Sequence, residues 1–250
     1  MQHDQNVSVN GGTEVIKYFA SVGIFDQDGM YDNINFKRYN FRSNTDARIN
    51  KNLVVKLGLE GRQENSNNPG FDAGSIFAAV LRQNPTYSIL NSDGSYFNTT
   101  GEHPVAMYES TGYNRNVWNV FQGSLSFEHK LSFITEGLSL NGLYSIYKDR
   151  LFNKTFFTPY TMYDVNPAGQ VTGTKLVGNQ TSLNQRYQES DQQFYNLSVN
   201  YDRKFGKHEV REFWFTKSIT LPGIHFSLTG SSFFPTSKMN YLHLGLKIRT

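Results

Sequence analysis

The chain has 250 residues, a formal net charge of +3 and no cysteine, so disulfides and thiolate metal sites are excluded and no strong attraction to nucleic acid is expected. Only 38% of the residues are hydrophobic, yet 15% are aromatic, which separates this chain from disordered ones because those lack aromatic residues. No run approaches the roughly 20 apolar residues of a membrane-spanning helix. The opening residues 1–6 are polar and contain no apolar signal core.

Alternating hydrophobicity appears at the start of the chain and predicts a first hairpin that turns at Gly11-Gly12. A turn-rich loop follows at residues 26–33. Residues 39–50 then carry apolar or small side chains at odd positions and polar side chains at even positions, and residues 53–62 repeat this alternation. Because successive side chains of a strand point to opposite faces, we predict two long two-faced strands joined by a tight turn at Lys51-Asn52.

The rest of the chain repeats this unit with longer connections between hairpins. The predicted features are, in order, a long irregular segment at 64–113 with a helix-like run at Gly74–Arg82, strands that resume at Val117, a short turn at 131–137, a second long segment at 151–182, and turns at Phe205-Gly206-Lys207 and Pro235.

The fold class that this pattern favours is all-β: an antiparallel up-and-down transmembrane β-barrel, partial or small, with about ten strands and long loops on one rim. Short and long connections alternate along the chain, and barrels of this kind have short turns at one rim and long loops at the other. The Greek-key connections of soluble sandwiches mix these lengths. The predicted strands also exceed the roughly 5–6 residues that are usual in soluble sheets.

The two faces of the predicted strands suit two different environments. The polar faces fit a water-filled interior, so we expect the apolar faces to contact lipid. Aromatic residues near the strand ends are expected to form girdles at the membrane interfaces. These residues are Tyr18, Phe25, Tyr39, Trp118, Tyr147, Tyr201 and Phe205. Two alternatives stay open: a soluble β-sandwich that binds saccharides through loop aromatics, and a small passive pore.

No catalytic constellation stands out in the sequence, so we predict no enzymatic activity, no metal and no cofactor. The six histidines lack metal-ligand spacing, and carboxylates such as Asp46, Glu60 and Glu128 are explained as charges on the polar faces. The candidate ligand-binding residues are aromatics of the long loops, which could stack on a sugar or a peptide, with packing of the loops on themselves as the competing explanation. They are Tyr87, Tyr96, Phe97, Tyr108 and Tyr113.

Residues 16–31 (IKYFASVGIFDQDGMY) and 36–62 (FKRYNFRSNTDARINKNLVVKLGLEGR) resemble the start of the barrel in SusC/RagA-type TonB-dependent outer-membrane receptors. Residues 76–87 (IFAAVLRQNPTY) look like a loop helix of the same family. Residues 103–116 and 194–210 fit segments that follow, so the set spans most of the chain up to that point. No single motif would suffice, but the segments are specific as a set.

From residue 211 onward the resemblance changes, because residues 211–250 look like strands from near the end of such barrels. We therefore predict two parts: residues 1–210 as the N-terminal part of a receptor barrel and residues 211–250 as strands of its C-terminal end. The family's plug, TonB-contacting segment and signal peptide are not found in the chain. We expect an incomplete receptor that is not a competent transporter alone.

The resemblance implies a place in the cell outer membrane and active import of a nutrient, typically a glycan or a peptide. It also implies partners: a SusD-like surface lipoprotein that acts as a lid, TonB as the source of energy, and outer-membrane lipid.

Overall fold

The computed structural model describes residues 1–31, 33–205, 208–222, 225–233 and 243–249, with side chains up to residue 204. The predicted turn residues Gly206-Lys207 and Pro235 lie outside the described residues. The described elements are β1 (Gln2–Gly12), β2 (Ile16–Asp28), β3 (Asn35–Arg48), β4 (Leu53–Pro69), α1 (Ala73–Arg82), α2 (Pro104–Glu109), β5 (Gly112–Lys130), β6 (Leu138–Phe157), β7 (Tyr160–Val165), β8 (Val171–Val177), β9 (Ser182–Phe205), β10 (His208–Pro222), β11 (His225–Phe233) and β12 (His243–Arg249).

Ten of these strands form one antiparallel sheet, which we call the wall, and β7 and β8 form a separate hairpin. Strands β1 to β6 pair in chain order, and β9 pairs with β6. Strand β10 pairs with the second half of β9 and β11 with the first half, so β10 and β11 follow one another along the same edge; β12 pairs with β11. Among the described strands, β1 lies at one end of the wall and β10 and β12 lie at the other, and no pairing joins the two ends.

The prediction of an antiparallel all-β chain is confirmed, and so are the hairpins on either side of Lys51-Asn52 and of residues 131–137. The first predicted hairpin also forms, but its turn lies at residues 13–15 rather than at Gly11-Gly12, which are the last residues of β1. Closure into a complete barrel is not seen in the described strands.

Several wall strands continue far into segments that were predicted to be irregular. Strand β4 extends to Pro69, β5 already begins at Gly112, and β6 extends to Phe157. In these extensions both faces carry polar side chains, so the alternation disappears although the backbone pairing continues. Helix α1 confirms the helix-like run Gly74–Arg82, whereas α2 and the β7–β8 hairpin were not predicted.

The registers between β2 and β9 contain no shift, so each face of the wall can be followed from strand to strand. We call the face that carries Leu57, Leu125 and Leu197 the apolar face and the opposite one the polar face. These three leucines are 42–46% exposed, and no second sheet packs on them among the described elements. A sandwich would bury such residues between two sheets, so this alternative receives no support.

The buried apolar side chains of the described chain all lie in the two long connections, residues 70–111 and 158–181 with the adjoining strand ends, which we call the loop cap. Helices α1 and α2 and strand β7 contribute one cluster that shields itself from solvent. The cluster consists of Ala79, Ala106, Met107, Tyr160 and Met162. None of the described helices is long and apolar enough to cross a membrane.

Candidate functional site

The apolar face carries a band of exposed or half-exposed side chains beside the short turns, apolar except for Ser43, Thr45 and His129, which we call the apolar belt. It comprises alternate residues from Ile16 to Ile24 on β2, from Leu53 to Gly61 on β4, from Leu138 to Ile146 on β6 and from Tyr195 to Tyr201 on β9, with equivalents on β3 and β5. A tilted strand needs about 9–11 residues to cross the hydrocarbon core of a membrane. The belt therefore has the length of one crossing.

The border of the belt on the side of the loop cap crosses the strands obliquely. The row of paired residues that contains Ile24 on β2 reaches Glu189 on β9, whereas the uninterrupted apolar run on this face of β9 begins at Tyr195, six residues further along. The border thus moves ~20 Å along the strands over five strand spacings of ~4.8 Å, an inclination of about 40°. Strands of transmembrane barrels are tilted by about 35–45°, so a flat apolar layer would produce this border.

The polar face contains a shallow cavity of about 420 Å³ behind the belt. Its floor is formed by the small residues Gly58, Ser124 and Ser145, which share one paired row. The side chains around this floor include Arg42, Glu60, Gln122, Tyr147 and Gln192. Hydrogen-bond donors, acceptors and the rings of Tyr147 and Phe194 around a small floor suit a polar solute.

Nearer the loop cap, the polar face is organised around Trp118. Its indole N–H donates to the Asp149 carboxylate, and the Arg62 guanidinium lies 4.9 Å from the centre of the ring. Glu64 pairs with Arg62 at 3.4 Å. These contacts fix the indole on the face of the wall, since the cation covers one side of the ring and the carboxylate holds its N–H.

Beyond Trp118 the polar face becomes a network of amides. Asn153 donates one amide hydrogen to Asn114 and one to Asn116, both at 2.7 Å, and Asn116 donates to the Ser66 hydroxyl at 3.3 Å. Neutral donors and acceptors of this kind match uncharged polar solutes without the desolvation penalty of a charged site.

Three connections on the same rim meet in the loop cap. The Tyr163 N–H donates to the Tyr96 carbonyl at 2.8 Å, and the Asn98 N–H donates to the Tyr163 carbonyl at 3.1 Å, so β7 is joined to the connection between β4 and β5. The loop between β2 and β3 is joined through Tyr108, whose hydroxyl accepts from the Asn33 N–H at 3.1 Å. The long-loop rim is therefore one packed body rather than three separate loops.

His103 connects the parts of the cap interior and is only 2% exposed. Its N–H donates to the Tyr160 hydroxyl at 2.9 Å, and its ring Nδ1 accepts from the Ala106 N–H at 3.1 Å, which caps α2. The ring Nε2 lies 2.7 Å from the Ile89 carbonyl oxygen and must donate to it, so the ring is a neutral tautomer. Burial raises the pKa of Tyr160 and, in the same cluster, that of Tyr96.

The five predicted ligand-binding aromatics do not form one surface. Tyr96, Tyr108 and Tyr113 each contact another ring, with centre-to-centre distances of 4.9–5.6 Å. Tyr87 and Phe97 pair with each other at 5.6 Å, and Tyr87 lines a cap cavity of about 200 Å³. The structure thus brings together only Tyr87 and Phe97 of this set, and ligand binding by the five residues stays a prediction.

The predicted aromatic girdles form only in part. Tyr18, Tyr39 and Tyr201 lie on the apolar face, and the last two mark opposite borders of the belt. The prediction is wrong for the three residues whose position in the strand places them on the polar face: Phe25, Trp118 and Tyr147. The side chain of Phe205 lies outside the described residues.

Charged residues on the apolar face beyond the belt were not anticipated from the sequence. Lys148 pairs with Asp191 at 3.3 Å and Arg150 with Glu189 at 2.6 Å, in both cases across β6 and β9. The Glu189 carboxylate raises the pKa of Arg150 by accepting its hydrogen bond. The signal was present in the sequence, because Lys148 and Arg150 continue the alternation of Ile146 on β6.

The described residues contain no group of three or more histidine, aspartate or glutamate side chains placed to hold a metal ion. On the polar face, the Asp46 carboxylate lies 3.7 Å from the Lys56 ammonium. This ion pair agrees with the interpretation of Asp46 as a charge on the polar face. The arrangement of the polar face can bind and guide a polar solute by hydrogen bonds and ring contacts.

No family model matches the chain. Curated relatives include TonB-dependent receptor P3 of Formosa agariphila, 30% identical over 104 residues, and TonB-dependent receptor SusC of Bacteroides thetaiotaomicron, 25% identical over 115 residues. These matches cover 38% and 46% of this chain, and 10% and 11% of the relatives. The chain thus spans about a tenth of the length of the curated relatives that it matches.

Solved structures with a similar fold include the RagAB peptide transporter, with a TM-score of 0.67 at 17% identity, over 99% of this chain and 28% of that chain. The RagAB peptide importer in its "open-open" state gives a TM-score of 0.66 at 18% identity. At this level of identity the likeness shows the fold, and it covers nearly the whole chain.

The relatives and structural neighbours that this chain resembles are named as receptors and transporters, not as enzymes, which agrees with the prediction of no enzymatic activity. The resemblance to SusC/RagA-type TonB-dependent receptors that the sequence predicted is confirmed.

Proposed function

We propose that this chain forms part of the outer-membrane wall of a SusC-like, TonB-dependent nutrient importer. The observation that carries the proposal is the oblique apolar belt, which is exposed, about nine residues long and inclined by about 40° to the rows of paired residues. An ordinary soluble sheet has no reason to keep such a band uncovered or to cut it obliquely. A lipid layer accounts for both features.

The imported nutrient is a glycan or a peptide. The structural neighbours are named as a peptide transporter, which supports the peptide class, and the glycan class follows from the resemblance of the sequence to SusC-type receptors. The neutral amides and hydroxyls of the polar face suit either class, since both present hydroxyl or amide groups. Tyr87 and Phe97 are the loop aromatics that we would place nearest an arriving ligand.

The partners that fit this function are a SusD-like surface lipoprotein and TonB. The loop cap lies on the rim opposite the short turns, which is the outer rim of barrels of this type. A lid lipoprotein would therefore meet the packed loop cap, while TonB would act from the other side of the membrane.

We also propose that the chain works within a larger receptor, because it corresponds to 28% of the RagAB chains. Alone it is not expected to support energy-dependent uptake. The division into residues 1–210 and 211–250 remains our prediction, and its boundary falls within β10, which pairs with β9 from His208 onward.

Because the chain has no cysteine, single cysteines with a fluorescent label can test the proposal at any wall position. The protein would be reconstituted in bilayers that contain lipids with a quencher on the acyl chain, and an aqueous quencher would be used in parallel. Labels at Leu57 and Leu125 should respond to the lipid quencher, and labels at Lys56 and Ser126 to the aqueous one.

The two label positions that best test the oblique border are Ile24 and Glu189, which lie in one row of paired residues on the same face of the wall. The oblique belt requires lipid quenching at Ile24 and aqueous quenching at Glu189. Equal lipid quenching at both positions would refute the oblique border. Aqueous quenching at all positions on both faces would refute the membrane wall itself.

A further inference from the structure

The apolar face changes character beyond the belt, toward the loop cap. On β5, β6 and β9 the charged side chains of this region form a patch that we call the basic collar, which consists of Arg115, Lys148, Arg150, Lys154, Glu189 and Asp191. The collar contains four cations and two carboxylates. The polar face of the same strand stretches, residues 113–119, 148–156 and 183–193, carries one residue of each sign, Asp149 and Arg186. The excess of positive charge thus lies on the side that continues the belt.

Two of the collar cations have no acidic partner among the described residues. Lys148 and Arg150 pair with the two carboxylates, whereas Arg115 and Lys154 face each other in the register of β5 and β6. The Arg115 guanidinium lies 4.2 Å and the Lys154 ammonium 5.9 Å from the centre of the Tyr113 ring. One aromatic ring therefore holds two cations close together and leaves their charge uncompensated.

The height of the cations above the belt identifies the kind of anion that they can reach. At about 3.3 Å per residue and an inclination of about 40°, Lys148 lies ~5 Å and Lys154 ~20 Å beyond the border at Ile146. The headgroup layer of an ordinary phospholipid is only about 5–8 Å thick. Arg115 and Lys154 would therefore lie above the headgroup layer of an ordinary phospholipid, but within a headgroup built of phosphorylated sugars.

We propose that the basic collar binds the phosphorylated saccharide headgroup of a glycolipid in the leaflet on the loop-cap side. Phosphate oxygens accept hydrogen bonds from Arg115 and Lys154, and the ring of Phe152, which is 38% exposed, lies on the same face of β6 at the level of the headgroup. The inference rests on the proposed function, because it requires the apolar belt to lie in a membrane.

The test uses the full chain in a nonionic detergent and measures binding of lipid A that carries two phosphates. The variant Arg115→Gln/Lys154→Gln removes the two uncompensated cations. About 1 kcal/mol per cation near an anionic surface predicts binding that is weaker by about 30-fold. The matched control Lys17→Gln/Arg186→Gln removes the same charge from the polar face and should bind like the unchanged chain. The swap Arg115→Lys/Lys154→Arg keeps both charges and should retain most of the binding.

Dephosphorylated lipid A and inorganic phosphate complete the experiment. If the collar binds the phosphorylated headgroup, dephosphorylated lipid A should bind weakly, and millimolar inorganic phosphate should not displace lipid A. Equal binding of both lipids, equal loss in both double variants, or displacement by free phosphate would each overturn the assignment. A chain that enters bilayers of phosphatidylcholine but shows no phosphate preference would refute the collar alone. A chain that enters no bilayer would refute the membrane wall.

Discussion

Leu125 in the wall and Met162 in the loop cap are both apolar side chains on paired strands, but 46% of the first and none of the second is exposed. The difference extends to the whole of both regions. The cap closes a small core of five residues. In the wall strands, up to residue 204, the one fully buried apolar side chain is Pro69 at the cap end of β4, although β6 is about three times as long as β7 or β8.

Under the proposed function, the two regions of the chain fit two different solvents. The cap gains stability because its apolar side chains are buried away from water, as in any globular protein. The wall is stabilised by continuous backbone pairing, and in the proposed function lipid covers its exposed apolar face. Changes of the same chemical type should therefore have different effects in the two regions.

The largest difference is expected for truncation of a buried methionine. Met162→Ala should destabilise the cap by about 2–5 kcal/mol, because the residue is fully buried and its removal leaves a cavity. Hydrogen exchange followed by mass spectrometry should show faster exchange in β7 and α2 with unchanged protection of β4. Leu125→Ala, the control in the wall, should change stability in detergent by less than about 1 kcal/mol. A comparable loss in both variants would remove the distinction between the two regions.

A charge on the apolar face should have the next largest effect, and only in a bilayer. Leu57→Arg is expected to cost about 2–4 kcal/mol, the value for arginine on the lipid face of a barrel near the membrane centre. The matched control is Leu143→Arg, since Leu143 is a similarly exposed leucine, at 37%, on the polar face. The assembled fraction in bilayers over a urea series would measure both. If Leu143→Arg were the more harmful of the two, the assignment of the faces would be reversed.

Close packing within the wall gives a smaller effect. The ring of Phe127 lies against Gly142 across β5 and β6, so a Cβ at position 142 would come within 2.2 Å of the ring. Gly142→Ala should lower stability by about 1–3 kcal/mol through displacement of the ring, and Phe127→Leu should restore part of the loss. Gly101→Ala in the loop cap, where no atom lies within 4 Å of the added carbon, is the control. Thermal unfolding in detergent would compare them, and an unchanged midpoint for Gly142→Ala would contradict the packing.

The contrast between the wall and the loop cap also decides how much of this structure the sequence predicts. In the belt one face is apolar and the other polar, so alternation located the hairpins around Lys51-Asn52 and residues 131–137. Beyond the belt both faces carry polar side chains and the alternation ends, so the sequence predicts loops where β4, β5 and β6 continue. The alternation itself places Trp118 and Tyr147 on the polar face, because each lies an odd number of residues from an apolar-face residue, Phe121 or Ile146.

The loop cap was the least predictable region. Helix α1 has a clear run of apolar residues, but α2 has only six residues and is capped by a histidine, which is an unusual capping residue. The contacts of Tyr96 and Tyr108 join segments that are far apart in the chain. Loop aromatics could therefore be recognised as candidates for binding, but their division into separate contacts required the fold.

The smallest effect is expected from a lowered pH. It is also the effect that best separates the loop cap from the wall. The Ser75 hydroxyl and N–H both donate to the Asp72 carboxylate at the start of α1, and these bonds hold the pKa of Asp72 below its usual value of 3.8. A carboxyl with a lowered pKa in the folded state contributes stability that is complete above the unfolded value and is lost as the pH falls through the folded value. Acidification from pH 5 to below about 3.8 should therefore loosen the first turn of α1.

Amide exchange at Ser75 and Ile76, corrected for the intrinsic pH dependence, would measure this loosening. Asp72→Asn keeps an acceptor that does not titrate, so it should abolish the pH dependence, whereas Asp72→Ala should show fast exchange at every pH. The belt contains no carboxylate between Leu53 and Leu59 on the apolar face of β4, so protection there should stay constant over the same range. Parallel loss of protection in α1 and β4 would mean that the cap and the wall unfold as one unit, and the contrast between them would not extend to their stability.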